Sequence, residues 1–382
     1  MSESWEVRAR REAVERFAVE VVGCLVGTEG RDGDLTSVKS VMFSADELGI
    51  VASANPGSAG YEYGIWGTET LSGDIGPSLE ALAIVASRCA GIAMGLHVAG
   101  LAARALVAAR RQTCERAAIA LLEPPFGLGD WTGPPQGPLD GLNARVSARD
   151  GELRLRATKT FVYAVPDTVN LLVICRDDSG EHVGVLVDRE ASGITRVAAE
   201  ERTGLAACEV LSVALEDAFI APAARLPAID AAELLALYWL GVAAIAVGNA
   251  VGARRRARAY ASERVQAGVP IARHPAVQLL LGDADLAIEA AAATVAQAAA
   301  ARGKGIDMLR RAALARAIAA DNAAHAVTGC LQVLGGYGYM EEYRLEKHLR
   351  DAVCLRSVGG RRDDLARFVA MSGGEESWRS RQ

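Results

Sequence analysis

Hydrophobic periodicity changes twice along this chain, and each change predicts a boundary between kinds of secondary structure. Residues 1–116 show the spacing of amphipathic helices, most clearly in the alanine-rich stretch Leu79–Ala108. Residues 117–226 carry several short apolar or alternating runs separated by turn residues, as in a small β barrel or sandwich. Residues 227–382 return to long helical spacing. We therefore predict a mostly α chain with an N-terminal helical bundle, a middle β barrel domain and a C-terminal four-helix bundle.

One hairpin is predicted in detail within the β region. The runs Ala144–Arg149 and Leu153–Thr160 alternate between apolar and polar residues, and Asp150-Gly151 stands between them. An Asp-Gly pair between alternating runs is the strongest short-range signal for a two-residue hairpin turn.

Composition excludes several functional classes. The formal net charge of −6 argues against a nucleic-acid partner, because no basic field dominates. Seven cysteines without a Cys-x-x-Cys pair predict neither a disulfide framework nor a zinc site, and favour a reducing cytoplasm. The N-terminus lacks the apolar core of a signal peptide, and the longest apolar run, Leu234–Val247, is too short to cross a bilayer. We therefore expect a cytoplasmic protein without metal or membrane contact.

A glycine cluster follows the last long predicted helix, Ala312–Leu334. Gly335, Gly336 and Gly338 can end that helix and let backbone N–H groups approach a partner closely, and Gln332 lies one turn earlier. Such a site suits the diphosphate of a dinucleotide held by backbone amides. The alternative is a plain helix end and turn, which describes most Gly-Gly pairs.

The segment Gln332–Ala352 closely resembles the C-terminal signature of the acyl-CoA dehydrogenase family. Further similarity to this family, from about residue 47 to residue 358, lies at Glu123-Pro124, Lys159, Phe161, Gly204, Glu216, Asp217 and the turn Glu263–Gly268. The order of an α-bundle, a β domain and a second α-bundle is also that of the family. The resemblance implies a flavoprotein that acts on acyl thioesters.

Several flavin contacts are implied by the resemblance. Arg264 would face the diphosphate of flavin adenine dinucleotide (FAD), although an arginine near a helix end is also favoured by the helix dipole alone. Gln332, Gly335 and Gly336 would reach the adenosine half of a cofactor bound in a neighbouring subunit, which implies an oligomer. In the β domain, Phe161 takes the place of a ring-stacking tryptophan, while Leu122 and Tyr163 replace two flavin-contacting threonines.

The catalytic base of the family is missing. The resemblance places it nine residues after Arg350, at Gly359, or on an earlier helix at the position of Tyr238. Neither residue is a carboxylate, and Tyr238 could act as a base only with a depressed pKa, whereas a core tyrosine with a satisfied hydroxyl is the favoured interpretation. Asp363 and Asp364 could swing in, although the start of a helix explains both better.

His348 falls in a run of mixed charge that we interpret as solvated, so we assign it no catalytic role.

Four hypotheses remain open for the function. The first is an acyl-thioester dehydrogenase-like FAD enzyme, acting on a CoA-bound or carrier-bound acyl group, with a non-standard or missing base and an electron-transfer flavoprotein as redox partner. The second is a base-less subunit of a heterotetramer, in place of a homotetramer. The third is a flavin monooxygenase or oxidase, and the fourth is a flavin-free enzyme.

Overall fold

The computed structural model describes residues 5–24, 35–71, 73–123, 141–191, 193–199, 201–301 and 305–372. Pro124, named above with Glu123, lies outside these residues. The mostly helical fold with a central β domain that the periodicity predicts is confirmed.

Small residues allow the N-terminal helices to pack closely. Nearly all of the helix Ala90–Ala108 is buried, since its alanines and glycines let neighbouring backbones approach. Ser87, Arg88 and the extended residue Cys89 separate it from the preceding helix, which ends at Ala86. The helices are α1 (Trp5–Arg16), which a π-helical turn continues over Phe17–Val22, α2 (Leu35–Glu47), α3 (Gly60–Tyr63), α4 (Gly76–Ala86) and α5 (Ala90–Ala108).

The strands of the middle domain form one mixed sheet around an apolar core of their own. They are β1 (Ala117–Ala120), β2 (Arg145–Arg149), β3 (Glu152–Ala164), β4 (Asn170–Arg176), β5 (His182–Asp188), β6 (Ile194–Ala199), β7 (Glu209–Ile220) and β8 (Arg225–Ala228). Their order is β6-β7-β3-β2-β4-β5-β8, and β1 pairs with β4 in parallel. Among the described residues the end strands β6 and β8 do not pair with each other, so the barrel is open.

The predicted hairpin is present between β2 and β3. Arg149 lies opposite Glu152, and the two residues between them, Asp150 and Gly151, both have positive φ angles of 53° and 82°. Two central residues with positive φ are what a type I′ turn requires. The Asp-Gly pair thus fixes the register of β2 against β3.

Long helices build the C-terminal domain. Asp230 caps the first of them by accepting a hydrogen bond from the backbone N–H of Glu233 at 2.9 Å. The elements are α6 (Ala231–Glu263), a two-residue hairpin of β9 (Val265–Gln266) and β10 (Val269–Pro270), α7 (Pro275–Ala300), α8 (Gly305–Val333), 3₁₀ turns at Gly335–Tyr339 and Glu341–Tyr343, α9 (Leu345–Leu355) and α10 (Arg362–Ser372).

Three glycines on one face of α6 set its distance from the N-terminal helices, and we call them the glycine seam: Gly241, Gly248 and Gly252. A Cβ atom at Gly241 would lie 2.1 Å from His97 Cε1, and one at Gly248 would lie 2.1 Å from the carbonyl oxygen of Ala83. The corresponding atom at Gly252 would lie 2.3 Å from the carbonyl oxygen of Ser87. The seam therefore brings the backbone of α6 into direct contact with α4 and α5.

Helices α5 and α6 are long and apolar enough to cross a membrane, with mean hydropathies of 1.6 and 1.9 over their most apolar windows. In both windows 94% of the residues are buried inside the protein. Such burial is typical of the core helices of a folded domain.

Candidate active site

The two positions considered for a catalytic base lie side by side. Gly359 follows α9, and a Cβ atom there would lie 3.0 Å from Tyr238 Cε1 and 3.1 Å from Trp239 Cδ1 of α6. Sequence positions that are 121 residues apart thus meet at one place, which is filled by aromatic rings. The structure places no carboxylate at either position.

Buried donors hold the backbone around Gly359. The indole Nε1 of Trp239 donates to the Gly359 carbonyl at 2.7 Å. Arg316 of α8, only 1% exposed, donates from Nε to the Val358 carbonyl at 2.9 Å and from Nη2 to the Gly360 carbonyl at 3.3 Å. Three consecutive carbonyls are thereby fixed, so the 358–360 segment has a defined conformation.

Two tyrosines contribute neutral phenols to this region. Tyr163 of β3 and Tyr238 are both buried, at 7% and 3% exposure. Burial, the largest effect, raises the pKa of both phenols, and the positive charge of Arg316 opposes it only in part. A base at Tyr238 would need a depressed pKa, so the electrostatics oppose that role. The favoured interpretation of Tyr238, a core tyrosine with a satisfied hydroxyl, remains a prediction.

His97 of α5 supports the backbone at Tyr238. The indole N–H of Trp66 donates to His97 Nδ1 at 2.9 Å, and His97 Nε2 lies 3.0 Å from the carbonyl oxygen of Tyr238. Because an indole only donates, Nδ1 must accept, and the single ring proton is on Nε2, which donates to the carbonyl. Burial lowers the pKa of His97 to about 3, so the ring is neutral.

Two buried histidines predict a loss of stability in mild acid. Burial lowers the pKa of both His97 and His348 in the folded state, whereas an unfolded histidine has a pKa of about 6.5. Below that pH the unfolded chain binds more protons than the folded chain does. The free energy of unfolding therefore decreases as the pH is lowered. Between pH 7.5 and 5.0 we expect a loss of about 2 kcal/mol per histidine.

Urea unfolding at the two pH values measures this effect. In His97→Gln the loss between pH 7.5 and 5.0 should shrink by about 2 kcal/mol. His325→Gln, at an exposed position of α8, is the matched control and should behave as the wild type. An equal pH dependence in all three proteins would contradict the assignment of a neutral, buried His97.

The three expected ring contacts lie on the β domain. Phe161 is 36% exposed and has a positive φ of 50°, whereas Leu122 and Tyr163 are buried. The backbone N–H of Thr160 donates to the Leu122 carbonyl at 3.0 Å, and the Thr160 hydroxyl is buried without a hydrogen-bond partner. An accessible aromatic side chain beside an orphaned buried hydroxyl fits a flat ligand with polar edges.

A fully buried ion pair supports this part of β3. Lys159 Nζ lies 2.8 Å from Glu123 Oε1, and Glu123 also accepts the backbone N–H groups of Asn143 at 2.7 Å and Ala144 at 3.0 Å. Burial lowers the pKa of Lys159, and the charge of Glu123 opposes that shift. The pair joins the end of β1 to β3, next to Leu122 and Phe161.

The expected diphosphate and adenosine contacts lie elsewhere, on the exposed end of the C-terminal bundle. The guanidinium of Arg264 lies 5.7 Å from the ring centroid of Tyr337, which belongs to the same 3₁₀ turn as Gly335 and Gly336. Nothing lies within 4 Å of a Cβ atom built on either glycine, and Gln332 is exposed. The structure therefore brings these four residues onto one surface that is open to a partner.

Helix α9 corrects the interpretation of His348. This residue is buried, its Nδ1 lies 2.7 Å from Asn249 Oδ1, and its carbonyl accepts from Asn249 Nδ2 at 2.8 Å. Lys347 and Asp351 are buried on the same helix and pair at 2.6 Å. The run of mixed charge is thus an amphipathic helix whose buried face is itself polar. The assignment of no catalytic role remains a prediction.

The two aspartates after Gly359 lie on the first turn of α10. Asp364 is 3.8 Å from Arg361, and Asp363 stands beside it in sequence. Acidic residues in a first helical turn complement the helix dipole, which is the interpretation that the sequence favours.

Sequence reasoning missed Arg316 and His97, and the only available signal was a lone polar side chain within an otherwise alanine-rich stretch.

Known proteins resemble this chain in sequence and in structure. Residues 231–373 match the family model for the acyl-CoA dehydrogenase C-terminal domain. An acyl-CoA dehydrogenase of Bacillus subtilis is 30% identical over 247 residues, which cover 62% of this chain and 62% of that protein. The first relatives are matched over 61%, 62% and 55% of their own lengths, so sequence similarity spans little more than half of each.

Solved structures share the fold over the whole length. Butyryl-CoA dehydrogenase from Megasphaera elsdenii superimposes with a TM-score of 0.78 at 21% identity, covering 97% of this chain and 98% of that one. A prolyl acyl carrier protein oxidase gives a TM-score of 0.71 at 18% identity, covering 97% and 99%. At such identities the likeness shows the fold alone.

Proposed function

Because this chain belongs to the acyl-CoA dehydrogenase family, we propose that it is an FAD-dependent oxidoreductase that acts on an acyl thioester with a non-standard or missing base. Members of the family are FAD-binding flavoproteins. The acyl group would be carried by CoA or by a carrier protein, and one protein of the same fold is an oxidase of a carrier-bound group. A cytoplasmic location without nucleic-acid or membrane contact belongs to the same proposal.

The observation that carries the cofactor proposal is the orphaned hydroxyl of Thr160 beside Phe161. A buried hydroxyl without a partner is rare in a folded protein and is satisfied when a ligand with polar atoms binds. Phe161 offers an aromatic face and Leu122 an apolar wall, so these residues would hold the ring system. FAD would supply the hydride acceptor, and Arg264 would pair with a diphosphate.

An oligomer is part of this proposal, because Arg264, Gln332, Gly335 and Gly336 face outward from the bundle end. Large apolar side chains are also exposed on that domain, namely Leu279 at 69%, Leu286 at 72% and Tyr339 at 82%. Exposed apolar side chains of this size are typical of surfaces that a partner covers. A homotetramer, or a heterotetramer with a homologous subunit, would cover them, and an electron-transfer flavoprotein would reoxidise the cofactor.

A second candidate function is favoured by the contents of the site. Of the described residues, Arg316 and Trp239 bind the 358–360 carbonyls and the ring of the neutral Tyr238 lies beside Gly359, and none of these three is a carboxylate that could take up an α-proton. This set supports a base-less subunit that pairs with a competent homologue. A flavin monooxygenase or oxidase, and a flavin-free enzyme, are the other outcomes that the cofactor experiment separates.

The visible spectrum of the purified protein, before and after titration with FAD, tests the proposal. We expect flavin absorption bands and saturable binding. Arg264→Ala should weaken FAD binding about 10- to 100-fold, because a charge-assisted hydrogen bond contributes about 1.5–3 kcal/mol. Arg273→Ala, at an exposed arginine just beyond the same turn, is the control.

Two outcomes would contradict the cofactor assignment. Retention of wild-type FAD affinity in Arg264→Ala would remove Arg264 from the site. A colourless protein that binds no added FAD, alone or with a homologous subunit, would favour the flavin-free enzyme.

A further inference from the structure

We propose that the cavity between α1, α4 and α6 binds a phosphate monoester of a small organic molecule, with its phosphate held by Arg88, Arg255 and Arg256. We call these three residues the arginine cluster. None of the residues that line the cavity belongs to the candidate active site, so the inference goes beyond the proposed function and does not rest on it.

The cavity has a volume of about 430 Å³, which lies in the range of small-molecule sites, roughly 300–1,000 Å³. Val19 in the π-helical turn after α1, Ile84 of α4 and Val251 of α6 supply apolar walls. Arg88, in the connection between α4 and α5, and Arg255 of α6 also line it. Apolar walls beside two guanidiniums suit a ligand with an organic body and an anionic group.

Close packing of α6 brings the arginine cluster together. Arg255 Nη2 donates to the carbonyl oxygen of Ser87 at 3.0 Å, and Ser87 directly precedes Arg88. Burial, then the charges of Arg88 and Arg256, lower the pKa of Arg255 to about 10. A nearby like charge disfavours the charged form of a group, so the three guanidiniums are close enough to repel one another.

The positive charge of the cluster is not balanced. Among the described residues, no carboxylate forms an ion pair with any member of the cluster, and the buried Nε of Arg256 has no hydrogen-bond partner. Arg254 and Arg258 on the same helix show the usual arrangement, because both pair with Asp285. An unpaired, partly buried charge is unfavourable, so an anion that neutralises it is bound favourably.

Two carboxylates line the same cavity without neutralising the cluster. Glu80 is held by Arg11 at 2.7 Å, and Glu15 is an exposed residue of α1. A carboxylate accepts hydrogen bonds and cannot donate one, so Glu15 suits a hydroxyl or amino group on the organic body of the ligand. The lining thus provides donors for a phosphate and an acceptor for the rest of the molecule.

A phosphate matches the cluster better than a carboxylate does. It carries a charge of about −1.5 to −2 and three acceptor oxygens, whereas a carboxylate brings one charge to three guanidiniums. The planar fork of arginine can pair two phosphate oxygens at once. Arg344, the N-cap residue of α9, adds positive potential, since its charge lowers the pKa of Arg256 after the larger effect of burial.

Isothermal titration of the purified protein at low ionic strength tests the inference with adenosine monophosphate (AMP), inorganic phosphate and adenosine. AMP should bind about 10-fold or more tightly than either of the others, since it alone engages the cluster and the apolar walls together. An AMP affinity equal to that of adenosine would overturn the inference. An AMP affinity equal to that of phosphate would refute the organic body and identify the inorganic ion as the ligand.

Glutamine variants of the cluster identify the residues that hold the phosphate. Arg88→Gln and Arg256→Gln should each weaken AMP binding about 10- to 100-fold, because each removes a charge-assisted contact. Arg258→Gln, at a paired arginine of the same helix, is the matched control and should keep the wild-type affinity. Loss of AMP binding in Arg264→Ala but not in Arg88→Gln would place AMP at the proposed cofactor site and overturn the inference.

The free energy of unfolding gives a second measurement, made without ligand. Arg88→Gln and Arg256→Gln each remove one of three mutually repelling charges, so both variants should be at least as stable as the wild type in urea at low ionic strength. Arg258→Gln removes an ion pair with Asp285 and should not gain stability. If both cluster variants were less stable than Arg258→Gln, the arginines would be stabilising the fold themselves, and the inference would fail.

The outcomes separate this inference from the proposed function. Flavin bands without AMP binding would sustain the proposed function and refute the phosphate site, as would happen if carboxylates of a partner subunit covered the cluster. AMP binding that is lost in Arg88→Gln would support the phosphate site, whether or not the protein binds FAD.

Discussion

Replacing Lys159 by methionine is expected to lower the free energy of unfolding by about 3–5 kcal/mol. The substitution leaves Glu123 as a buried carboxylate without its cation, at a position that is 2% exposed. The backbone N–H groups of Asn143 and Ala144 would still donate to Glu123, but they do not neutralise it. The expected loss therefore arises from the charge that remains, more than from the contact that disappears.

Urea unfolding of the single and double variants measures this effect. Glu123→Gln added to Lys159→Met should recover part of the loss, because a neutral amide oxygen can still accept a backbone N–H. Lys39→Met, at an exposed lysine of α2, is the control and should change stability by less than about 0.5 kcal/mol. A cost below about 1 kcal/mol for Lys159→Met would show that the buried pair is readily replaced by apolar packing.

Gly359→Glu is expected to destabilise the protein and to leave it without dehydrogenase activity on simple acyl-CoA substrates. Gly359 has a φ of 80°, and holding a non-glycine residue there costs about 1–3 kcal/mol. Its Cβ atom would also lie 3.0–3.2 Å from Tyr238 and Trp239, and overpacking of this kind costs about another 1–3 kcal/mol. A glutamate is therefore not held in a defined place, and a mobile carboxylate is a poor base.

Two measurements decide this prediction. Thermal or urea unfolding should show the loss of stability, and anaerobic mixing with butyryl-CoA should leave the flavin oxidised. Gly282→Glu, in α7 with no atom within 4 Å of its Cβ position, controls for the added charge and should be nearly neutral. Rapid bleaching of the flavin by butyryl-CoA in Gly359→Glu would show that the missing carboxylate was the only obstacle.

Periodicity and turn chemistry predict the architecture because both are local. The hairpin at Asp150-Gly151 requires two residues with positive φ, and the pair Asp-Gly in the sequence predicts such a turn. The glycines after α8 likewise end a helix where expected. Resemblance added the positions of Gly359 and Tyr238, which the structure brings into contact, although their roles remain predictions.

The polar interior could not be predicted in the same way. Arg316 has buried alanines around it, and an arginine in such a helix normally points to solvent. Whether it turns inward depends on Val358 and Gly360, more than 40 residues away. His348 is similar, since only Asn249 on α6 makes its burial acceptable. Long-range partners of this kind leave no periodic signal.

The glycine seam has a consequence for redesign of the site. Helix α6 carries the seam and also Tyr238 and Trp239, so an advance of one residue would turn both side chains by about 100° away from Gly359. Direct backbone contact at Ala83 and Ser87 blocks such sliding. Laboratory evolution of a new substrate range can therefore vary the side chains that face the ligand, whereas substitutions at the seam would misalign the helix that presents them.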